Sequence, residues 1–319
     1  MKSKYLYLPA GILDQSAVFG IDIILSESSE EDSRLSHAIT QHAKVVLPVY
    51  IDRQFNISYP AKAFSPAGLG HVHLEQGIDG FVKEVFHTIS HQSKSIPSFA
   101  SALNAVINGG KLPQPEIQDK IPQQKVFDNI IQSNNMWINF YGAPGTFQYF
   151  PIADILDGQW PSSYFADKFV LVGTTTAGLH EGILVPFTHG IDRMPAVEVH
   201  AHILNNLMDR GNIRPVDPWV RWALAIVMAI FCFFMFIRFD SLSGMLIGFL
   251  GLLTISLVTF FAFESLNRWL SPASLYLSVG ISFLLAYIFN LPKNEKITSA
   301  GQGKRCRHRT RTGHGSRNH

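Results

Sequence analysis

Three apolar stretches follow one another after residue 218, and they constrain this chain more than any other feature. Trp219–Ile237 carries one charge, Arg221 near its start, while Leu242–Phe263 and Trp269–Phe289 carry none. A helix needs roughly 20 residues to cross a hydrocarbon core of ~30 Å, and each stretch has that length. Each central Leu, Ile, Phe or Val favours insertion by about 0.3–0.6 kcal/mol, and a terminal Arg can snorkel to the headgroups. Trp219, Trp222 and Trp269 stand at span ends, where interfacial aromatics belong. Core helices of a soluble protein do not come as three such runs in tandem. The pattern predicts transmembrane helices over 219–237, 242–263 and 269–289.

The loops between them, Arg238–Ser241 and Glu264–Arg268, are short. The spans must therefore run as a hairpin bundle, too small to enclose a transport pathway. No Asp, Glu, His or Lys lies mid-span, and such residues mark ion and proton routes. An anchor and relay is expected, not a channel. Counting Lys and Arg near span ends sets the orientation. Arg238, Lys293, Lys296, Lys304, Arg305, Arg307, Arg309 and Arg311 would share one side, against Arg210, Arg214, Arg221 and Arg268 on the other. The richer side is the cytoplasmic one, which puts the C-terminus inside and residues 1–217 outside. That vote comes mostly from residues 301–319. Met1–Leu13 has no apolar core of signal-peptide length. Either the first domain is cytoplasmic or a leading segment precedes this one.

Hydrophobic residues make up 47% and charged residues 16% of the chain, against roughly 25% charged in an ordinary soluble domain. That excludes a disordered or supercharged protein. The formal charge of +2 is local, because residues 301–319 hold six Lys and Arg and no carboxylate. The remaining 20 basic and 24 acidic residues leave the body at −4, so nothing points to a nucleic-acid partner. The tail, 291–319, is expected to be disordered: either a segment lying on anionic lipid or a scar or shifted reading frame. The two cysteines, Cys232 and Cys306, lie outside the first domain, which excludes a disulfide framework or a thiolate zinc site there.

In that domain Val18–Leu25, Lys44–Ile51, Met136–Tyr141 and Phe169–Gly173 read as strands. Glu30–Gln41, Pro97–Ile107 and a short turn near Ile152–Leu156 read as helices. His71–Glu75 and Phe81–Phe86, around a turn at Gly77–Gly80, read as a hairpin, and Lys111–Gln124 as a loop. Strands alternating with helices predict an α/β domain with a mainly parallel sheet, followed by an all-α three-helix transmembrane bundle. The helix Val197–Arg210 has one broad apolar face made by Val197, Val199, Ala201, Ile203, Leu204, Leu207 and Met208. Glu198, His202, Asn205 and Asp209 share the other face, expected to be solvated. Gly211, Pro215 and Pro218 end this helix and stiffen its joint to the first span.

Candidate chemistry is sparse. Glu198 and His202 share a helix face, but His200 projects about 160° away from His202, so the three cannot chelate one ion. His200 is expected to be a buried core histidine or a sensing group. His71 and His73 share a strand face without a third ligand, so no metal is expected. Gly173-Thr-Thr-Thr-Ala-Gly178 follows a strand but lacks the Lys-Ser/Thr of a phosphate loop. It is either a turn using glycine's freedom at positive φ or a ligand-facing loop beyond the strand ends. Asp22, Ser26 and Glu27 end the first strand on that same side. The ligand-binding candidates are therefore Asp22, Ser26, Glu27, Gly173, Thr174, Thr175 and His200. No catalytic or cofactor-binding signature appears.

Four blocks, VFGIDIILSESSEEDSRLSHAI, AGLGHVHLEQGIDGFVKEV, INFYGAPGTFQYFPIADILDGQWPSSYFADKFVLVGTTTAGL and MPAVEVHAHILNNLM, stand in this order. They resemble the type 2 CHASE domain, the cyclase and histidine-kinase associated sensory extracellular domain of bacteria. The resemblance covers about residues 10–215, and the three trailing spans also match. It implies a multi-pass inner-membrane protein: an extracytoplasmic sensor that relays a small-molecule or physical stimulus to a cytoplasmic output. In the family that output is commonly an adenylate or guanylate cyclase or a protein kinase, and dimers are usual. Members usually begin with a transmembrane helix and further ectodomain residues, which these 319 residues do not include, nor an output domain. The resemblance transfers no catalytic residue. The alternative is a solute-binding or metal-dependent hydrolytic ectodomain using His200, Glu198 or Asp22.

Overall fold

The computed structural model describes residues 18–52, 56–91, 94–110, 124–127, 130–175, 182–188, 192–209, 213–239 and 241–289. The head begins with β1 (Val18–Asp22), α1 (Asp32–His42), β2 (Val45–Ile51), β3 (Ile57–Ser58) and β4 (Gly68–His71). Then come β5 (Glu84–His91), β6 (Lys94–Pro97), α2 (Phe99–Ile107), β7 (Gln124–Phe127) and β8 (Ile130–Trp137). It closes with α3 (Ile152–Leu156), a 3₁₀ turn over Ser162–Phe165, β9 (Phe169–Gly173) and α4 (Ala196–Asp209).

β4, β2, β1 and β9 lie side by side and parallel, and β3 folds back antiparallel on the end of β2. β1 and β2 are apolar and buried on both faces, as central strands between two helical layers must be. Their alternation feeds two cores. Val18 and Val46 join Phe99 and Leu103 of α2 with Val199 and Ile203 of α4 on one face. Phe19, Ile21, Val45 and Leu47 meet Ile39 of α1, Ile155 of α3 and Phe165 on the other. Gly70 of β4 is a packing requirement: a Cβ there would lie 2.5 Å from the Phe99 Cα. Ser98 caps α2, its side chain accepting the Ser101 amide, and Gly109 and Gly110 follow the helix at positive φ.

The head is mixed, and the mainly parallel expectation is corrected in part. A second sheet, in the order β6-β5-β8-β7, is antiparallel throughout. Its strands mix apolar and polar residues without a regular period, as EVFHTISH in β5 and IIQSNNMW in β8 do, instead of forming the apolar runs that advertise a central strand. The expected hairpin is also corrected. The Gly77–Gly80 turn is present, with the Gly77 amide donating to the Phe81 carbonyl at 2.9 Å. However, β4 pairs with β2 and β5 with β6 and β8, so the turn joins two sheets. Of the predicted loop Lys111–Gln124, residues 111–123 lie outside the described residues and Gln124 opens β7. Arg210 and Gly211 also lie outside them.

Contacts divide the chain between Ile213 and Arg214. The second unit holds β10 (Arg214–Pro215), α5 (Pro218–Arg238), α6 (Ser241–Leu266), β11 (Arg268–Trp269) and a helix α7 (Pro272–Phe289). Three of these helices are long and apolar enough to cross a membrane. Pro218 occupies the first turn of α5, where its missing N–H costs nothing. The third span starts at Pro272 and not at Trp269, because Arg268 and Trp269 pair with Arg214 and Pro215. Between spans, the Ser282 hydroxyl donates to the Ala229 carbonyl at 2.9 Å, and Ser256 and Tyr276 hydroxyls meet at 2.7 Å. An apolar cleft of about 440 Å³ lies between α5 and α6, lined by Leu224, Met228, Phe231, Ile247 and Val258 among others. Its lining offers no carboxylate, imidazole or amine, only apolar side chains with Thr254, Thr259 and Cys232 among them.

Candidate functional site

The carboxyl ends of β1 and β9 lie together: Asp22 and Gly173 are in register. Thr174 beside them is half-buried, whereas Ser26, Glu27 and Thr175 are exposed. Gly173 is explained by packing and not by a turn, since it lacks the positive φ that such a turn uses. A Cβ at Gly173 would lie 2.6 Å from Val197 Cβ, so glycine lets α4 lie against β9. His200 projects from α4 into the core at 1% exposure, edge-on to Phe99 with ring centroids 5.4 Å apart. Burial holds its pKa below the ordinary histidine value, against the opposing pull of the Asp22 carboxylate. The structure thus brings Asp22, Gly173, Thr174 and His200 to one region and leaves Ser26, Glu27 and Thr175 at its exposed margin.

Further histidines surround this region. His71, at the end of β4, is fully buried, and its Nε2 donates to the Phe86 carbonyl at 2.9 Å. Burial, reinforced by His73, brings its pKa down to about 3, and His200 and His87 act in the same direction. His87 on β5 contacts the Ser101 hydroxyl through Nδ1 at 3.1 Å, and burial lowers its pKa to about 4. His73 is shifted downward by burial while Glu75 opposes the shift. His71 Nδ1, His87 Nε2 and both His200 nitrogens are buried without a protein partner. Neutral imidazoles therefore sit where a positive charge is not tolerated.

The other face of α4 was expected to be solvated, and the structure overturns this for Glu198 and His202, while Asn205 is half-buried and Asp209 is exposed. Glu198 is 2% exposed, His202 0% and Asn206 1%. These residues, one turn apart along the helix, clasp the chain that leaves β8. The Asn206 side chain accepts the Asn139 amide at 2.7 Å and donates to the Asn139 carbonyl at 2.8 Å. His202 Nδ1 accepts the Tyr141 amide at 3.3 Å. The Glu198 carboxylate accepts the Gly145 and Thr146 amides, each at 2.9 Å, and the Tyr149 hydroxyl at 2.6 Å. Burial and this bond to a carboxylate both push the Tyr149 pKa up. Residues 139–146 form no strand, so their backbone groups need partners from outside a sheet, and α4 supplies them. Met208, assigned from periodicity to the buried face, is half-exposed.

Phe140, Tyr141 and Phe147 enclose the His202 ring, with Tyr141 stacked at 6.2 Å and Phe147 edge-on at 4.8 Å. Burial lowers the His202 pKa, and Glu198 pulls the other way. The sequence signal for this clasp was the spacing of Glu198, His202 and Asn206 at i, i+4 and i+8, all able to bond backbone groups. Asn139 and Tyr149 carried no comparable signal. Glu198 is committed to the strap and faces away from His200, so the two do not assemble a hydrolytic centre. Among the described residues, no three His, Cys, Asp or Glu side chains are placed to hold a metal ion.

The family model described as the CHASE2 domain matches residues 12–237, which takes in the head and nearly all of α5. No curated protein and no solved structure matches the chain.

Proposed function

The chain belongs to the CHASE2 domain family, and on that premise we propose that it is the membrane-anchored sensory module of a bacterial receptor. CHASE2 is a sensory domain and not a catalytic one. In this proposal the head faces the extracytoplasmic side, the C-terminus lies in the cytoplasm, and the spans relay the stimulus to a cyclase or kinase output. The relay works best between two copies, because a displacement of one bundle against another is what a dimeric output can read. The stimulus acts on the region of Asp22, Gly173, Thr174 and His200 or on the strap, and α4 carries the change toward the first span.

One observation carries this proposal: the connector is strand-paired within each unit. Ile213 bridges to Trp137 inside the head. The next residues, Arg214 and Pro215, pair with Arg268 and Trp269 inside the membrane unit, with the Arg214 amide donating to the Asn267 carbonyl at 2.8 Å. Ile213 and Arg214 are adjacent in the chain, so a single peptide bond separates the pairing in the head from the pairing in the membrane unit.

The test fuses a cyclase or kinase reporter after Asn290 and inserts three glycines between Ile213 and Arg214. Regulation by the head should disappear while basal activity remains. Unchanged regulation after the insertion would reject the relay. Protease treatment of intact spheroplasts checks the orientation: the head should be digested and the C-terminus protected.

A further inference from the structure

The clasp contains one rung whose chemistry depends on a proton. The Tyr141 N–H points at His202 Nδ1, so that nitrogen holds a lone pair and the ring is the neutral Nε2–H tautomer. Asn206 and Glu198, the rungs on either side, accept amides whatever the state of His202. We propose that His202 is an acid-sensitive latch: protonation of its ring releases the 139–146 strap from α4.

Adding the proton has two consequences, and no bond at the ring's other nitrogen offsets them. Nδ1–H would confront the Tyr141 N–H, donor against donor, at a separation of 3.3 Å. Nε2–H would remain without a protein acceptor. The new positive charge would be enclosed by the Phe140, Tyr141 and Phe147 rings in a fully buried position.

The groups facing His202 oppose this only weakly. On its own helix, Glu198 favours the charged ring, but that carboxylate is already engaged by two amides and the Tyr149 hydroxyl. On the strap side the titratable neighbour is Tyr141, whose own pKa is pushed up by burial and then by Asp209. The helix α2, packed on α4, brings no titratable residue. The imidazolium therefore gains most by moving into water, and it can reach water only if the strap lifts.

This deepens the sensor proposal by naming protons as a stimulus, and its effect on output rests on that proposal. Opening of the strap can be read on the head alone. The experiment uses the full chain in lipid nanodiscs and measures hydrogen-exchange protection factors, which divide out the intrinsic pH dependence of exchange. Protection at Tyr141, Gly145 and Thr146 should fall at least about tenfold between pH 7.5 and 5, the change expected for roughly one unit of displaced pKa. His202→Asn keeps an acceptor oxygen near the Nδ1 position and has no proton to gain. It should hold these protection factors constant to within about twofold, well short of that one-unit change.

Constant protection in the native protein, or the same acid loss in the Asn variant, overturns the latch. If the variant does not fold, the native ring decides the matter by solid-state ¹⁵N spectroscopy in bilayers. Nδ1 should be bare at pH 7.5 and become protonated over the interval in which protection is lost. A ring that stays neutral through that loss overturns the latch as well. A strap that opens with acid beneath an unresponsive fused reporter upholds the latch and counts against the sensor proposal alone.

Discussion

Replacing Glu198 with alanine tests whether the clasp on α4 is a structural commitment of the head. The carboxylate accepts two amides at 2.9 Å and the Tyr149 hydroxyl at 2.6 Å. A hydrogen bond to a charged group contributes about 1.5–3 kcal/mol net. Gly145, Thr146 and Tyr149 are exposed residues, so water can reach the freed donors and the lower value applies. Three bonds then total about 4–5 kcal/mol, and the freedom regained by a loosened strap returns about 1–2 kcal/mol.

The expected loss for Glu198→Ala is about 3 kcal/mol, which lowers the melting temperature of a domain this size by roughly 6–12 °C. Calorimetry in nanodiscs reads it, with the head and membrane transitions separated by comparison with protease-trimmed bundle. The sharper test is a double-mutant cycle with Tyr149→Phe. Tyr149→Phe alone should cost about 1 kcal/mol, and almost nothing once Glu198 is gone, giving a coupling of about 1 kcal/mol. Additive costs, or a Glu198→Ala variant within about 0.5 kcal/mol of the native chain, the range of ordinary surface substitutions, would refute the reasoning.

Acid should destabilise the head through His71 and His87 as well. Their folded pKa values of about 3 and about 4 lie below the ordinary 6.5, so their contribution is complete above pH 6.5 and declines as pH falls. At pH 5 each has lost about 2 kcal/mol, and urea midpoints at pH 7.5 and 5.0 should differ accordingly. Gly70→Ala should cost about 3 kcal/mol or more, because the new methyl meets the Phe99 and Ser98 backbone and not a movable side chain. Thermal melts and circular dichroism of the purified variant would register that loss. Asn206→Ala removes both bonds to Asn139 from a buried site, so about 2 kcal/mol and the exchange protection at Asn139 should be lost. Asn206→Asp, which keeps only the acceptor, should recover part of that protection.

Parts of this protein were legible without coordinates wherever one local property sufficed. β9 and α3 begin and end where the sequence reading places them, and β2 begins one residue later, since a run such as VVLPVYI is apolar enough to demand burial on both faces. The same logic missed β5 as a long strand and joined β4 to the wrong partner. A half-polar strand such as EVFHTISH carries little signal of its own. The site was only half legible. The meeting of Asp22 and Gly173 followed from the rule that ligand regions sit beyond parallel strand ends, whereas His200 was read from helix periodicity as a residue of the apolar stripe and its approach to them was not foreseen. His71 and His87 enter that region from strands whose pairing was not foreseen.

The membrane spans, the acidic body and the parallel strands were determined by the sequence itself, because transfer from water to lipid or core is a sum over residues and needs no partner. Only the tertiary structure decided the character of α4. Its polar stripe reads as a surface in isolation, and it is buried because the backbone of 139–146, some sixty residues away in sequence, arrives with amides to satisfy. A hydrogen bond requires two groups at a set distance, and that distance exists only once the chain has folded.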